Sequence, residues 1–293
     1  MKIKRSAGEH IFEVFNIVFM ALIILVMTYP LLYTIFASMS DANRLIAHNG
    51  LLIKPLGFSL EAYKMMSKNS NIINGYMNTL FIVTAGTAVN IFLTSLGAYF
   101  MSTDGLMFKK PINIMIIVTM YFSGGIIPMY FNVISLGLEN SLWAMIFPTA
   151  INTFNLIVMS SAFRSIPVSI KESAYLDGAG EMCMLFKMIL PLSKATIAVM
   201  ILYYGVDHWN EWFNAALFLN DRRLYPLQLI LREILIQNDT SAMSQGVMME
   251  DQFAISETIK YAVTVAATLP ILCVYPFLQK YFEKGVMIGA VKG

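Results

Sequence analysis

The sequence predicts an all-α membrane protein with six transmembrane helices. Three observations carry that expectation. Of 293 residues, 57% are hydrophobic and only 13% charged, with a mean hydropathy of +0.65; ordinary soluble domains carry about 25% charged residues. Charge-free runs long enough to cross a bilayer recur along the chain. Lysine and arginine collect at alternate ends of those runs. The net charge of +2 says little as a total; its distribution says more.

A crossing helix needs about 20 mainly apolar residues at about 1.5 Å rise each. After a tail over 1–13, the run Val14 to Ser40 holds 27 residues without a charge. That is too long for the apolar segment of a signal peptide, so a first helix is expected over 14–40. A loop over 41–71 leads to the second run, Asn69 to Thr103, with Tyr76 to Phe100 as its expected span. Pro111 to Leu138, Asn140 to Phe163 and Tyr261 to Gln279 supply the third, fourth and sixth.

The fifth crossing follows from topology. Between Lys194 and Asp207 lie only 12 uncharged residues, about 18 Å as helix and too short. A helix from Ser193 to Leu219 crosses if Asp207 to Glu211 lie in its outer part. Cationic residues mark the cytoplasmic side. They occur at Lys2, Lys4 and Arg5; at Lys109 and Lys110; at Arg164, Lys171, Lys187 and Lys194; and at Lys280, Lys284 and Lys292. All four groups share one side only if the fifth run crosses. Both termini are then cytoplasmic, with 12 Lys/Arg against 7 Asp/Glu inside and 8 against 11 outside. Trp143, Trp209 and Trp212 fall near outer helix ends, where an aromatic belt sits; sugar stacking is the other reading for Trp209 and Trp212. Three dispersed histidines and two cysteines, Cys183 and Cys273, imply neither a metal site nor a disulfide framework.

One passage departs from this oily pattern: "KESAYLDGAGEMCMLFKMILPL", 171–192. Pro167 followed by Ser169-x-x-Glu172 reads as a helix start with a capping box. Asp177-Gly178 breaks that helix, and Asp177 is placed to cap a second. The second carries Met182, Leu185, Phe186, Ile189 and Leu190 at helical spacing, one continuous apolar stripe, and ends at Pro191. Two short helices with a sharp bend are expected at the cytoplasmic surface. On physics alone the element reads either as a knob that carries force into the bundle or as a lid whose Glu172 merely caps its own helix.

The pattern Glu172-Ser173-Ala174, three residues, Gly178, nine residues, Met188-Ile189-Leu190-Pro191 resembles the "EAA" loop of ABC importer permeases. Ser173 departs from the usual alanine, small for small. "NTLFIVTAGTAVNIFLTSLGAYFMS" at 78–102 is similar to the start of that permease core. "LGLENSLWAMIFP" at 136–148, "HWNEWFNAALFLNDRRLYPLQLILREIL" at 208–235 and the tail "KGVMIGAVKG" at 284–293 resemble the carbohydrate branch, nearest the aldouronate and alginate-oligosaccharide type. The resemblance implies a type I importer permease core over 72–282, with a coupling loop at 165–191, an outer loop at 220–258 and a tail over 283–293. It implies a bacterial inner-membrane location and a second, unlike permease subunit. Two ATP-binding subunits would use ATP and Mg, and an extracytoplasmic binding protein would deliver an oligosaccharide. Glu172 would then face the ATPase, Ala174 and Gly178 would allow close approach, and Pro191 would fix the exit angle. This chain has no phosphate-binding loop, so no cofactor of its own is expected, no catalysis and no nucleic-acid partner.

Polar residues inside a span usually face a cavity or one another. Tyr204, Asp207, His208, Glu211 and Asn214 recur at three- and four-residue steps of the fifth helix, which predicts one face. Asn90, Asn152 and Asn155 join them as pathway candidates. Bracing of the bundle and contact with the binding protein are the competing readings. Leu224 to Ile236 is amphipathic, with Leu227, Ile230, Leu231 and Ile234 on one side, and reads as an interfacial helix on lipid. "DRR" at 221–223 suits acidic sugars, anionic lipid or protein carboxylates. The rival functions are a secondary transporter, which would show matched broken helices in two repeats, and a polytopic enzyme, which would need a convergent nucleophile or metal set.

Overall fold

The computed structural model describes residues 7–237 and 249–290. Lys2, Lys4, Arg5, Lys292 and the part of the outer loop at 238–248 lie outside the described residues. The described secondary structure is helical apart from one isolated bridge, Ser40 with Phe58. The chain divides into two compact units, Met1–Asn69 with Glu233–Thr268, and Ser70–Arg232 with Leu269–Gly293.

In the first unit α1, Ala7–Ser38, is apolar on all sides. None of its span window is buried within the chain, so lipid or another subunit must cover it. Past it the backbone knots. Asp41 accepts from Arg44 N to cap α2, Ala42–Ile46, and Tyr29 Oη accepts from Leu52 N at 3.0 Å. Ala37, Leu45 and Leu52 form a small core there with Tyr33 and Tyr261. Helix α3 follows at Glu61–Lys68.

The second unit is built on α4, Ser70–Ser102. Gly75, Gly86 and Gly97 recur along it three turns apart. A Cβ at each would stand 2.6 Å from Ile230, 2.5 Å from His208 and 2.8 Å from Leu156 respectively. The glycine stripe therefore lets three neighbours seat against one face, as small residues do between membrane helices. Those neighbours are α7, Thr153–Arg164; α11, Lys194–Asn210; and α13, Leu227–Gln237.

The third to fifth crossings depart from the continuous helices the sequence predicts. Helices α5, Lys109–Tyr121, and α6, Ile126–Ser135, meet at 116°. The joint is Phe122 to Gly125, where Gly125 has φ +86°, a conformation open to glycine. A 3₁₀ stretch over Leu142–Thr149 meets α7 at 54°. The segment Glu181–Leu192 meets α11 at 86° across Ser193. Helix α11 stops at Asn210 rather than Leu219, because Glu211 turns extended and caps a separate short helix, α12, Phe213–Phe218. Among the described residues, three helices are long and apolar enough to cross alone: Gly8–Ser38, Ser70–Ser102 and Ile255–Val274, the last within α14, Met249–Ala290. Each bent pair passes the same test jointly, which brings the total to six.

The apolar face of helix α13 packs on protein. Leu227 and Ile230 are 0% and 2% exposed and rest on α4 at Gly75. Thr79 Oγ1 accepts from Leu227 N at 2.9 Å, and the Asn78 amide donates to Arg223 O and Tyr225 O. The apolar face seen in sequence is satisfied by protein instead of lipid.

Candidate functional site

The charged passage folds as two short helices rooted in the bundle. Helix α8 runs Val168–Leu176 from Pro167, with no side-chain cap. The capping box from Ser169 to Glu172 does not form, because the helix starts two residues early, at Val168, and places Ser169 inside its first turn. Its end is a reciprocal stop: Ala179 N donates to Ala174 O at 2.9 Å and Gly178 N to Tyr175 O at 3.0 Å, with Gly178 at φ +80°, a Schellman motif. Asp177 is thus the C-cap of α8, not the start of the second helix. That helix opens at Glu181 after Gly180 as α9, Glu181–Cys183.

Next comes a π-helix, Met184–Ile189, leading into α10, Leu190–Leu192. Pro191 has no N–H to close an α-helical turn onto Lys187, and the chain widens just before it. The wider turn displaces the predicted stripe. Met184, Leu185 and Ile189 are buried, while Met182 and Phe186 stay 62% and 42% exposed.

Two faces result. Ala174, Met184, Leu185 and Ile189 join one buried cluster with Met101, Phe163, Met200 and Tyr204, and Ile170 and Leu190 pack against it. Ala174 therefore allows close approach to this chain's own bundle. Glu172, Ser173, Leu176, Asp177, Gly178 and Pro191 lie on the exposed side. Glu172 has no side-chain partner among the described residues, and a Cβ at Gly178 would meet nothing within 4 Å. Gly178 is required by its backbone angle, not by crowding. Arg164 Nη2 donates to Met101 O at 2.6 Å and Lys171 Nζ to Phe163 O at 3.3 Å. The phenols of Tyr99 and Tyr175 both donate to the Glu181 carboxylate. That carboxylate pushes Tyr175 above the ordinary phenol range. In the neighbouring loop, the hydrogen bond from Lys109 holds Asp104 below the usual carboxylate range.

The second candidate region separates into two groups. Asn90, 0% exposed on α4, donates its amide to Thr149 O and Ala150 O, both at 2.9 Å. These carbonyls stand at the break before α7, where helical partners are lost. The Asn90 oxygen is then left to accept from His208 Nε2 at 2.7 Å, which sets that ring's tautomer with the proton on Nε2. Tyr204 Oη lies 2.7 Å from Thr94 Oγ1 and accepts from Asn152 N at 3.1 Å. Asn152 in turn caps α7 through Asn155 N at 3.1 Å. Asn90, Asn152, Asn155, Tyr204 and His208 are thus gathered at one helix break.

Asp207 and Glu211 do not share that face. Asp207 is exposed, with no side-chain partner among the described residues. Glu211 lies past the end of α11 and accepts from Asn214 N at 2.9 Å and Asn214 Nδ2 at 3.2 Å. The helical repeat that joined them in sequence stops at Asn210. Trp209 is 7% exposed, so it offers neither a belt position nor an open stacking surface. One face of Trp212 is covered by the Arg232 guanidinium at 3.9 Å. Within "DRR", Arg223 is clamped by Asp221 through Nε and Nη2; the contact holds Asp221 low and raises Arg223. Sequence reasoning passed over Thr94, Gly86 and the Tyr99–Glu181–Tyr175 cluster. Four-residue spacing of Gly86, Asn90 and Thr94 on one run was the available signal for the first two.

No family model matches the chain. The polygalacturonan/rhamnogalacturonan transport system permease protein YtcP of Bacillus subtilis (strain 168) is 41% identical over 290 residues, 97% of this chain and 99% of that protein. Protein LplC of the same organism is 41% identical over 288 residues, 98% and 97% of the two chains. The crystal structure of a bacterial ABC transporter involved in the import of the acidic polysaccharide alginate contains a chain of similar fold. It superposes with a TM-score of 0.88 at 28% identity, over 96% of this chain and 100% of that one. Identity at this level along nearly the whole length, on a fold that an ABC importer shares, displaces the secondary-transporter and enzyme readings: this chain belongs to the permease subunits of carbohydrate ABC transporters.

Proposed function

We propose that the chain is one of two unlike permease subunits of a bacterial inner-membrane importer for acidic oligosaccharides cut from polysaccharide. The observation that carries this reading is the pairing of a polygalacturonan/rhamnogalacturonan permease at 41% identity with an alginate importer chain at a TM-score of 0.88. An extracytoplasmic binding protein delivers the sugar. Two separate ATP-binding subunits use ATP and Mg. Both termini are cytoplasmic; 1–13 and 283–293 are tails, the first crossing lies in 14–40, 41–71 is an outer loop and 72–282 the permease core.

The loop at 165–191 receives the stroke of the ATPase. Glu172, Ser173, Asp177 and Gly178 form its outward face, and Ala174 and Leu190 its root, with Pro191 at the exit. A rigid element whose inner face is continuous with the bundle core transmits displacement. Asp207, exposed and without a side-chain hydrogen bond among the described residues, is the pathway or binding-protein contact. Asn90, Asn152, Tyr204 and His208 brace the broken fourth crossing.

The test is the assembled complex with its binding protein, challenged with oligogalacturonides and with neutral oligosaccharides of equal length. Acidic oligomers are expected to stimulate ATP hydrolysis several-fold more than neutral ones. Equal stimulation by both would overturn the acidic preference.

A further inference from the structure

We propose that Tyr99, Tyr175 and Glu181 form a latch that fixes the angle of the bent element at 165–191 and thereby sets how much transport each ATP yields. The inference rests on the coupling role proposed for that element. Glu181 opens α9, where a carboxylate would normally turn back onto free N–H groups. Here it turns away. One oxygen accepts from Tyr99 in the last turn of α4, and the other accepts from Tyr175 on α8 at 2.8 Å. One carboxylate thus ties three helices together. Both bonds are charge-assisted, the stronger class of hydrogen bond.

The bend needs such a tie. Between the cap Asp177 and Glu181 the chain is Gly178-Ala179-Gly180, and a Cβ at either glycine would meet nothing within 4 Å. Sterics do not fence the elbow. The apolar root at Ala174, Met184 and Leu185 packs the element onto the bundle, but apolar contact is non-directional and by itself selects no angle at the bend. Arg164 and Lys171 bond to carbonyls on the near side of the bend. Among the described residues, Glu181 is the polar side-chain tie that crosses it. A push on α8 then moves α4, and with it the bundle, instead of opening the elbow.

The experiment uses the full complex in proteoliposomes and measures sugar uptake per ATP hydrolysed. The Tyr99→Phe/Tyr175→Phe double variant keeps both rings and removes both bonds. It is expected to hydrolyse ATP with uptake per ATP lowered about tenfold, at an unchanged thermal midpoint. Glu181→Gln retains an oxygen that accepts one phenol and should fall between. Gly178→Val is the control on the underlying reading. If Gly178→Val loses uptake and the double variant matches the wild type, the latch is overturned while the coupling loop stands. If Gly178→Val also transports normally in an assembled complex, the coupling reading itself falls.

Discussion

Asn90 illustrates how much one side chain can hold. It lies mid-helix at 0% exposure and satisfies two main-chain carbonyls and one imidazole N–H. Replacing it by leucine keeps the volume and strands all three groups. An unsatisfied buried polar group costs about 1–3 kcal/mol, so Asn90→Leu should lower the thermal midpoint and the yield of the complex markedly. Transport per folded complex should be retained. Wild-type stability with lost transport would instead return Asn90 to the pathway. The sequence announced that a polar group in a span must find a partner. It concealed which partner: Pro148 marks a break in the run Asn140 to Phe163, but not that the freed Thr149 O and Ala150 O would meet Asn90.

At the scale of elements, periodicity was a sound guide only where helices stayed regular. The 33 residues of α4 were legible as a span, and Gly178 as a stop. The π-helix at Met184–Ile189 and the end of α11 at Asn210 were not. Each shifts the register of every later side chain, which is why Phe186 left the predicted stripe and Glu211 the predicted face. The two carboxylates should now behave differently. Glu211→Ala removes the α12 cap and should cost about 1 kcal/mol. Asp207→Asn breaks no side-chain hydrogen bond among the described residues and should stay within about 0.5 kcal/mol of the wild type. Uptake per folded complex should nevertheless fall in Asp207→Asn, or shift in substrate preference. A loss of stability without a change in uptake would make Asp207 a structural residue and leave the outer end of α11 without a pathway candidate.

For the whole molecule the open quantity is the parity of its crossings. Among the described residues three helices are long and apolar enough to cross alone, while each bent pair fits either one broken crossing or a re-entrant loop. The cationic pattern favours crossing: Lys109 and Lys171 share a side when the first two pairs both span, and lie on opposite sides if only one of them does. Single-cysteine labelling with an impermeant maleimide separates the cases, in a background with Cys183 and Cys273, both free thiols, changed to serine. Ser102, at the end of α4, is 4% exposed and would report burial instead of sidedness. Met107 and Leu136, at 80% and 63% exposure, sit at the two ends of the first pair, and Leu176, at 90%, in the bent element. Exposed Ser67 and Asn220 flank the outer segments. Cysteines at 67, 136 and 220 should label from outside intact cells, and those at 107 and 176 only after the membrane is opened. If 107 and 136 label from the same side, α5 and α6 form a re-entrant loop, the crossing count drops, and the bent element would lie on the side opposite the ATP-binding subunits unless another pair also fails to cross.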